Sequence, residues 1–486
     1  MLNNIDTLPS LKALDVGKQL FLNFTRGETL FRKSKKMHFL GIGGIGMSGI
    51  AEILINLGYE VTGSDLKESE RTKKIQAMGG IIFIGHHPSN IKDYNVVITS
   101  SAISLDNPEI IEAKKKKIPI IHRSEMLAEL VRLKYGIGVA GTHGKTTTSS
   151  MLSYVLYHGG INPTAIIGGK VINFESNARI GEGDYIVFEA DESDGSFLKL
   201  FPSIAIVTNI DADHLDHYKY FEGLKNAFLE YINHVPFYGY SVLCIDDFTI
   251  SEIIHRVERP YITYGFSERA DFRAKDVRIT DNGTYYNCFY KNKLLGEIKI
   301  NLLGDHNVVN SLSVIAVALE LGMDFKSIKE GMAWFKGVER RLELIGKENG
   351  IVVIDDYGHH PTEIIATLQA LKNLNKRIVV IFQPHRYSRT QLLKDDFAKA
   401  FVDADIVFLT EIYPAGEEPI EGISSNILME AIIKHDDKDV TLISDFEAIP
   451  DTVLKSIKEG DIILTLGAGN INKIGPMIIQ EIKKRG

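Results

Sequence analysis

Short apolar runs alternate with helix-like patterns along almost the whole chain, in three successive series. Such alternation admits few folds, because it calls for parallel sheets with helices on their faces. From Lys36 to about Lys134 the runs "KMHFLGIG", "YEVTGSD", "NVVITSSA" and "IPIIHR" are separated by segments such as "GMSGIAEILINLG". A second series starts at "YGIGVAG" and continues through "DYIVFEA" and "SIAIVTNI". It is interrupted by "DVRITDNGTYYNCFYKNKLLGEIKINL", whose period-two alternation around Asp281-Asn282-Gly283 reads as antiparallel hairpin structure. The third series comprises "GIVVIDD", "RIVVIFQP", "DIVFLTE", "VTLI" and "DIILTLGAG". Between the last two series, "GVERRLELIG" reads as a crossing between domains.

A chain of 486 residues suits about three domains. The expected class is α/β, with three domains each built on a largely parallel sheet, and the expected boundaries are 1–134, 135–339 and 340–486. Residues before Lys36 read as an N-terminal arm. They lack the apolar stretch and small-residue cleavage site of a secretory signal. With 44% hydrophobic and 24% charged residues and no long unbroken apolar run, the composition points to a cytoplasmic protein without a membrane partner. A net charge of −8 offers no footprint for nucleic acid, and the basic run Lys114–Lys117 reads as a solvated helix end. Two cysteines, Cys244 and Cys288, are too few for a disulfide framework or a multi-thiolate zinc site. Monomer and homodimer both remain open.

In "HFLGIGGIGMSGIAEILINLGYEVTGSD", Gly41, Gly43 and Gly46 have the spacing that lets backbone approach a pyrophosphate ahead of a helix N-terminus. Asp65 follows about 20 residues on, where a ribose-binding acid stands in dinucleotide-binding units. Taken alone, this stretch reads as an NAD-dependent dehydrogenase.

The segment "GVAGTHGKTTTSSMLSYVLYHGG" points elsewhere. A strand ending at Ala140 runs into Gly141, Thr142, His143, Gly144, Lys145, Thr146 and Thr147, and then a helix. Backbone N–H groups in such a loop cradle phosphate oxygens, Lys145 neutralises β/γ charge and the Thr146 hydroxyl reaches Mg²⁺. The spacing is not the strict phosphate-loop pattern, since Val139 stands five residues before Gly144. Two later strand ends are acidic: "YIVFEADESDGSF" with Glu189, Asp191 and Glu192, and "AIVTNIDADHLDHY" with Asp211, Asp213, His214 and Asp216. Mg²⁺ takes one or two carboxylates and fills its other positions with water and phosphate. Thr146, Glu189 and His214 are the expected metal ligands, so the chemistry is expected to use ATP.

The motifs "GTHGKTTT", "EADESDGSF", "NIDADHLDHY", "LGDHNVVN", "DDYGHHPTE" and "PHRYSRT", in that order, resemble those of the Mur ligases of peptidoglycan synthesis. The resemblance runs from about His38 to Gly469 and is closest to the alanine-adding branch. It implies a Rossmann-like UDP-sugar domain, a central P-loop ATPase domain with an added antiparallel section, and a C-terminal Rossmann-like domain that closes over both. It implies an ATP-dependent amide ligase: ATP phosphorylates the lactoyl carboxylate of UDP-N-acetylmuramate, L-alanine attacks the acyl phosphate, and phosphate leaves. Mg²⁺ is the implied cofactor.

Residue by residue, the resemblance places Gly41, Gly43, Gly44, Gly46, Ser64 and Asp65 on the UDP-sugar. Gly141 to Thr147, Asn307, Asn310, Arg341 and Asp356 fall on the ATP side. Lys145, Glu189, His214, His359, Arg386 and Arg389 form the implied catalytic set, the arginines being suited to bidentate capture of a carboxylate. Without the resemblance, Asn307 and Asn310 read as helix caps and the arginines as surface residues. Several sister ligases carry a carbamylated lysine where this chain has Phe228, with Lys225 on another face of the same helix. A recycling ligase that attaches a ready-made tripeptide remains the alternative, although Ser193 and Gly195-Ser196 favour alanine.

Overall fold

The computed structural model describes residues 35–213, 215–280 and 283–485, without the side chains of residues 215, 216 and 485. The N-terminal arm, His214 and the Asp281-Asn282 turn therefore lie outside the described residues. The chain divides into two compact units, one up to Arg123 and the other from Ser124 onward.

In the first unit, strands β1 (Lys36–Leu40), β2 (Glu60–Asp65), β3 (Ile81–Ile84), β4 (Val96–Thr99) and β5 (Ile120–His122) form one sheet in the order β3-β2-β1-β4-β5. Every pairing is parallel. Met37, Phe39 and Leu40 of β1 are fully buried, as a central strand covered on both faces requires. Helix α1 (Ile45–Asn56) follows β1 and α2 (Glu70–Ala77) follows β2. Helix α3 (Pro108–Lys115) opens on an Asn107 cap with proline at its first position. Strands β2 and β4 flank β1 on opposite sides, so the glycine turn after β1 lies at the switch point where open α/β sheets bind ligands.

The second unit holds two sheets. The ten-stranded sheet has the order β15-β14-β13-β12-β11-β10-β6-β9-β7-β8. Its strands β6 (Tyr135–Ala140), β7 (Thr164–Val171), β9 (Tyr185–Glu189), β10 (Ile204–Val207), β11 (Tyr240–Cys244) and β12 (Tyr261–Gly265) pair in parallel, and β8 (Ser176–Arg179) is an antiparallel edge. The interruption expected in the second series is a meander of β13 (Phe272–Thr280), β14 (Gly283–Tyr290) and β15 (Lys293–Ile300). Its second turn is Lys291-Asn292, both with positive φ (45° and 66°), a tight hairpin turn that the alternation alone did not mark. Helices α4 (Lys145–His158), α5 (Phe221–Asn233) and α6 (Asp305–Glu320) belong to this sheet.

The six-stranded sheet has the order β16-β17-β21-β18-β19-β20. Strands β17 (Ile351–Asp356), β18 (Ile378–Phe382), β19 (Ile406–Thr410), β20 (Asp439–Ile443) and β21 (Ile462–Leu466) are parallel, with apolar cores on both faces. An antiparallel edge strand, β16 (Glu343–Glu348), begins within the segment expected to be only a crossing. Half of its sequence, ELIGKE, is charged, as suits a sheet edge, so it has little hydrophobic signature. Helix α7 (Pro361–Lys372) follows β17 and the short α8 (Tyr387–Leu392) follows β18.

Candidate active site

Strand order explains why three separated motifs meet. Because β9 and β10 flank β6, the chain segments leaving all three strands share one edge of the ten-stranded sheet. The loop between β6 and α4 needs glycine at two places. A Cβ on Gly141 would stand 2.0 Å from the Thr208 hydroxyl, and Gly144 caps α4 in a left-handed conformation (φ 84°). The Thr142 N–H donates to the Asn209 carbonyl and the His143 N–H to Asn209 Oδ1. The N–H groups opening α4, at the positive end of that helix, are the ones that the loop's own bonds to Asn209 do not engage. Asn310, on α6, stands beside this turn: a Cβ on Gly144 would lie 3.1 Å from its amide. Asn307 and Asn310 are not the helix caps of the local reading, because α6 starts at Asp305 after Gly304.

Lys145 is held at the loop by the carbonyls of Gly141 and Thr142 and by Glu192, 2.9 Å away. Burial alone would lower its pKa, but the charges of Glu192, Asp191 and Glu189 raise it, so the ammonium is firmly charged. In sequence Glu192 is one of several acids after a strand. The structure makes it the lysine's fully buried counter-ion, a role that depends on the turn after β9.

Glu189, ending β9, accepts hydrogen bonds from Thr146 Oγ1 (3.1 Å), Ser149 Oγ (3.2 Å) and the Gly168 N–H (2.6 Å) of β7. Burial pushes its carboxyl upward despite these donors and Lys145. Two of the three expected metal ligands, Thr146 and Glu189, are thus in contact. Phe228 is buried edge-to-face against Phe197, while Lys225 pairs with Glu222 and Glu252.

The six-stranded sheet brings a second set to the same unit. Glu363 bonds back to the N–H groups of His359 and His360, and Pro361 opens α7, a capping box that fixes the turn "YGHHPTE". Asp356 accepts from the N–H groups of Leu342 and Gly358, so its carboxylate shapes the backbone between β17 and α7. His359 Nδ1 reaches the Tyr357 carbonyl at 3.1 Å, and burial holds the ring neutral, down to about 4. Its ring lies 5.7 Å from that of His385, whose Nδ1 is 3.4 Å from Arg389. Arg386, exposed, caps α8. Arg341 packs over Tyr357 and pairs with Glu363 at 3.6 Å.

The same Glu363 faces the phosphate loop. His143 lies between Asp211, its Nε2 3.1 Å from Oδ2, and Glu363, its Nδ1 3.6 Å from Oε1. Burial opposes the imidazolium, but the two carboxylates dominate and raise it to about 9. His143, Asp211 and His360 place three donor atoms within 4.8 Å, a spacing a metal could use. Within the group His143 Nε2 and Asp211 are hydrogen-bonded at 3.1 Å, and the His360 ring packs 5.4 Å from that of His143. In sequence Asp211 is one of several acids at a strand end and Glu363 has no distinguishing signal, because their meeting depends on how β10 and α7 are placed.

In the first unit, the Gly43 N–H donates to Asp65 Oδ2 (2.8 Å), so Asp65 braces the glycine turn. Gly41 has φ 73°, and Gly44 caps α1. A Cβ on Gly46 would lie 3.0 Å from the guanidinium of Arg123, and Arg71 donates to the Gly43 carbonyl. Ser64 points to Glu109 (2.6 Å) and His86 (3.0 Å). Glu109, fully buried at the start of α3, also accepts from Asn90 (2.5 Å) and the His87 N–H (3.2 Å) and lies 3.4 Å from His38. Burial would raise its carboxyl, but His38, Ser64 and Asn90 outweigh it and hold it down at about 2.

Family models match nearly all of this architecture: the Mur ligase family, catalytic domain, over residues 36–135, the Mur ligase middle domain over 139–318, and the Mur ligase, glutamate ligase domain over 340–469. The chain belongs to the Mur ligase family. Within that family, it is 55% identical over 93% of its length to the UDP-N-acetylmuramate--L-alanine ligase of Geotalea uraniireducens, covering 99% of that protein. It is 54% identical to the enzyme of the same name from Geobacter sulfurreducens, over 94% of this chain and 99% of that one. Among solved structures, it resembles the UDP-N-acetylmuramate-alanine ligase of Thermotoga maritima, with TM-score 0.80, 31% identity, and coverage of 93% of this chain and 100% of that one.

Proposed function

We infer that this chain is an ATP-dependent ligase that joins L-alanine to the lactoyl carboxylate of UDP-N-acetylmuramate, forming ADP and phosphate, in cytoplasmic peptidoglycan precursor synthesis. The observation that carries ligation is the phosphate loop with Lys145, set beside Glu189 and facing the His359 turn within one unit. A hydride-transfer enzyme has no use for that arrangement. The choice of alanine rests on the likeness to the alanine-adding enzymes over nearly the full length of each.

A free carboxylate is a poor electrophile, so the first step transfers the γ-phosphoryl group of ATP to a lactoyl oxygen, giving an acyl phosphate and ADP. The amine of L-alanine then adds to the carbonyl, loses a proton, and phosphate departs as the amide forms. Lys145 offsets charge on the β- and γ-phosphates, and the N–H groups opening α4 hold their oxygens. Asn310 and Asn307 border the nucleotide. His359, neutral and with Nδ1 committed to the Tyr357 carbonyl, offers Nε2 as acceptor to the incoming amine. Arg386 and Arg389 hold the amino-acid carboxylate. The glycine turn after β1 receives the UDP diphosphate.

Thr146 and Glu189 suit Mg²⁺: both are hard oxygen donors, in contact, and burial pushes the Glu189 carboxyl up, a cost that a bound cation would offset. Mg²⁺ supplies charge neutralisation during phosphoryl transfer. His214 completes the proposed ligand set. Among the described residues, no helix is long and apolar enough to cross a membrane.

The test is phosphate release by the purified protein with ATP, UDP-N-acetylmuramate and L-alanine, each omitted in turn. Release should require all three. Turnover with a tripeptide but none with L-alanine would transfer the assignment to the recycling reaction.

A further inference from the structure

The phosphate loop contains one residue, His143, whose imidazole is engaged by Asp211 and Glu363. The His143 N–H donates to Asn209 Oδ1, and its carbonyl accepts from Thr208 Oγ1 (2.6 Å) and Asn209 Nδ2 (3.0 Å). The end of β10 thus holds this backbone on both sides, and the imidazole extends to the six-stranded sheet. There it meets Glu363 on the first turn of α7, while its other nitrogen bonds Asp211. Asp211 Oδ2 also accepts from Thr362 Oγ1 at 2.9 Å, so two adjacent residues of α7 contact one His–Asp pair. The ring of His360 packs 5.4 Å from that of His143.

We propose that His143 is a positioning residue: with Asp211, it latches the first turn of α7 onto the phosphate loop and so sets the distance between the ATP site and the His359–Arg389 cluster. This role rests on the ligase reading above. Glu363 links the two ends, since the same carboxylate that meets His143 also caps the turn carrying His359 and pairs with Arg341. Charge-assisted bonds of this kind are short-ranged and directional, which suits a contact that forms in one arrangement of the two sheets. Nucleotide binding at the loop and placement of the amine-binding cluster would then be coupled through one side chain.

The experiment uses the full chain with reporter pairs at Lys326→Cys and Asp395→Cys, both highly exposed. The native Cys244 and Cys288 are buried, with thiols pushed up to about 12, so dyes attach selectively. Distances between dyes are measured with an ATP analogue present, alongside ADP affinity and steady-state kinetics. For His143→Gln, we expect a longer, broader distance distribution, a rise in the KM for L-alanine of at least tenfold, and ADP affinity within about threefold of the parent. Thr362→Val, which removes one exposed hydroxyl, should move distance and KM the same way by a smaller factor. If His143→Gln fails to fold, Thr362→Val decides alone.

An unchanged distance distribution in the decisive variant overturns the latch. So does a loss of ADP affinity in His143→Gln that equals the loss in kcat/KM, which would make His143 a nucleotide ligand. Failure of the parent enzyme to ligate L-alanine would overturn the ligase reading instead, and the distance measurement would still report on the latch.

Discussion

Lys145 carries two roles that a substitution would separate. It is the charge assigned to the phosphates, and it is the counter-ion of the fully buried Glu192. Removing one partner of a buried pair costs on the order of 3 kcal/mol, because the remaining charge stays desolvated. Lys145→Ala should therefore lower the melting temperature as well as abolish phosphate release. Adding Glu192→Gln should restore most of the stability and none of the activity. Recovery of activity in the double variant would remove Lys145 from catalysis, and an unchanged melting temperature in the single variant would contradict the buried pair. The lysine was legible because glycine, lysine and threonine stand together in sequence. Its partner is 47 residues away, and two neighbouring acids compete for the same reading.

At the scale of elements, Glu109 ties the middle of β1, the end of β2 and the turn before Asn90 to the start of α3. Its carboxyl is held at about 2, below the ordinary range, so the ionised form is favoured by folding. The stabilisation is complete above the unfolded pKa, near 4.3, and is lost as pH falls toward 2, by about 3 kcal/mol at most. Acid titration followed by circular dichroism should show this loss in the parent chain. Glu109→Gln should be less stable at pH 7 and show a shallower dependence between pH 5 and pH 2; an identical slope would refute the network. Nothing local marks Glu109, which reads as an ordinary acid in a helix's first turn. Asp65 shows the opposite case: its spacing was legible, but only the 2.8 Å bond to the Gly43 N–H shows that it braces the turn.

For the whole molecule, the two compact units predict separate responses to two ligands. Hydrogen exchange should slow at Gly41–Gly46 when UDP is added and at Gly141–Thr148 when ADP is added, each within its own unit, because ligand binding protects what it orders. Protection by ADP at the first glycine turn would return the argument to a dinucleotide site there. The parallel strands of the three sheets were readable from apolar periodicity, which follows from burying a strand on both faces. The edge strands β16 and β8 were not, since strands at an edge carry little hydrophobic pattern, and the Lys291-Asn292 turn was not, since it lacks the usual glycine.

The sequence by itself determined the α/β class, the phosphate loop and the order of motifs, because glycine, lysine and alternating apolar residues act over a few neighbours along the chain. Only the tertiary structure decided which acids meet which donors and cations. Glu192 with Lys145, Glu109 with Ser64, and Glu363 with His143 meet across 45 to 220 residues, where contact is set by strand order and helix placement. Coulomb attraction and desolvation depend on distance in space, which the chain's order does not encode locally.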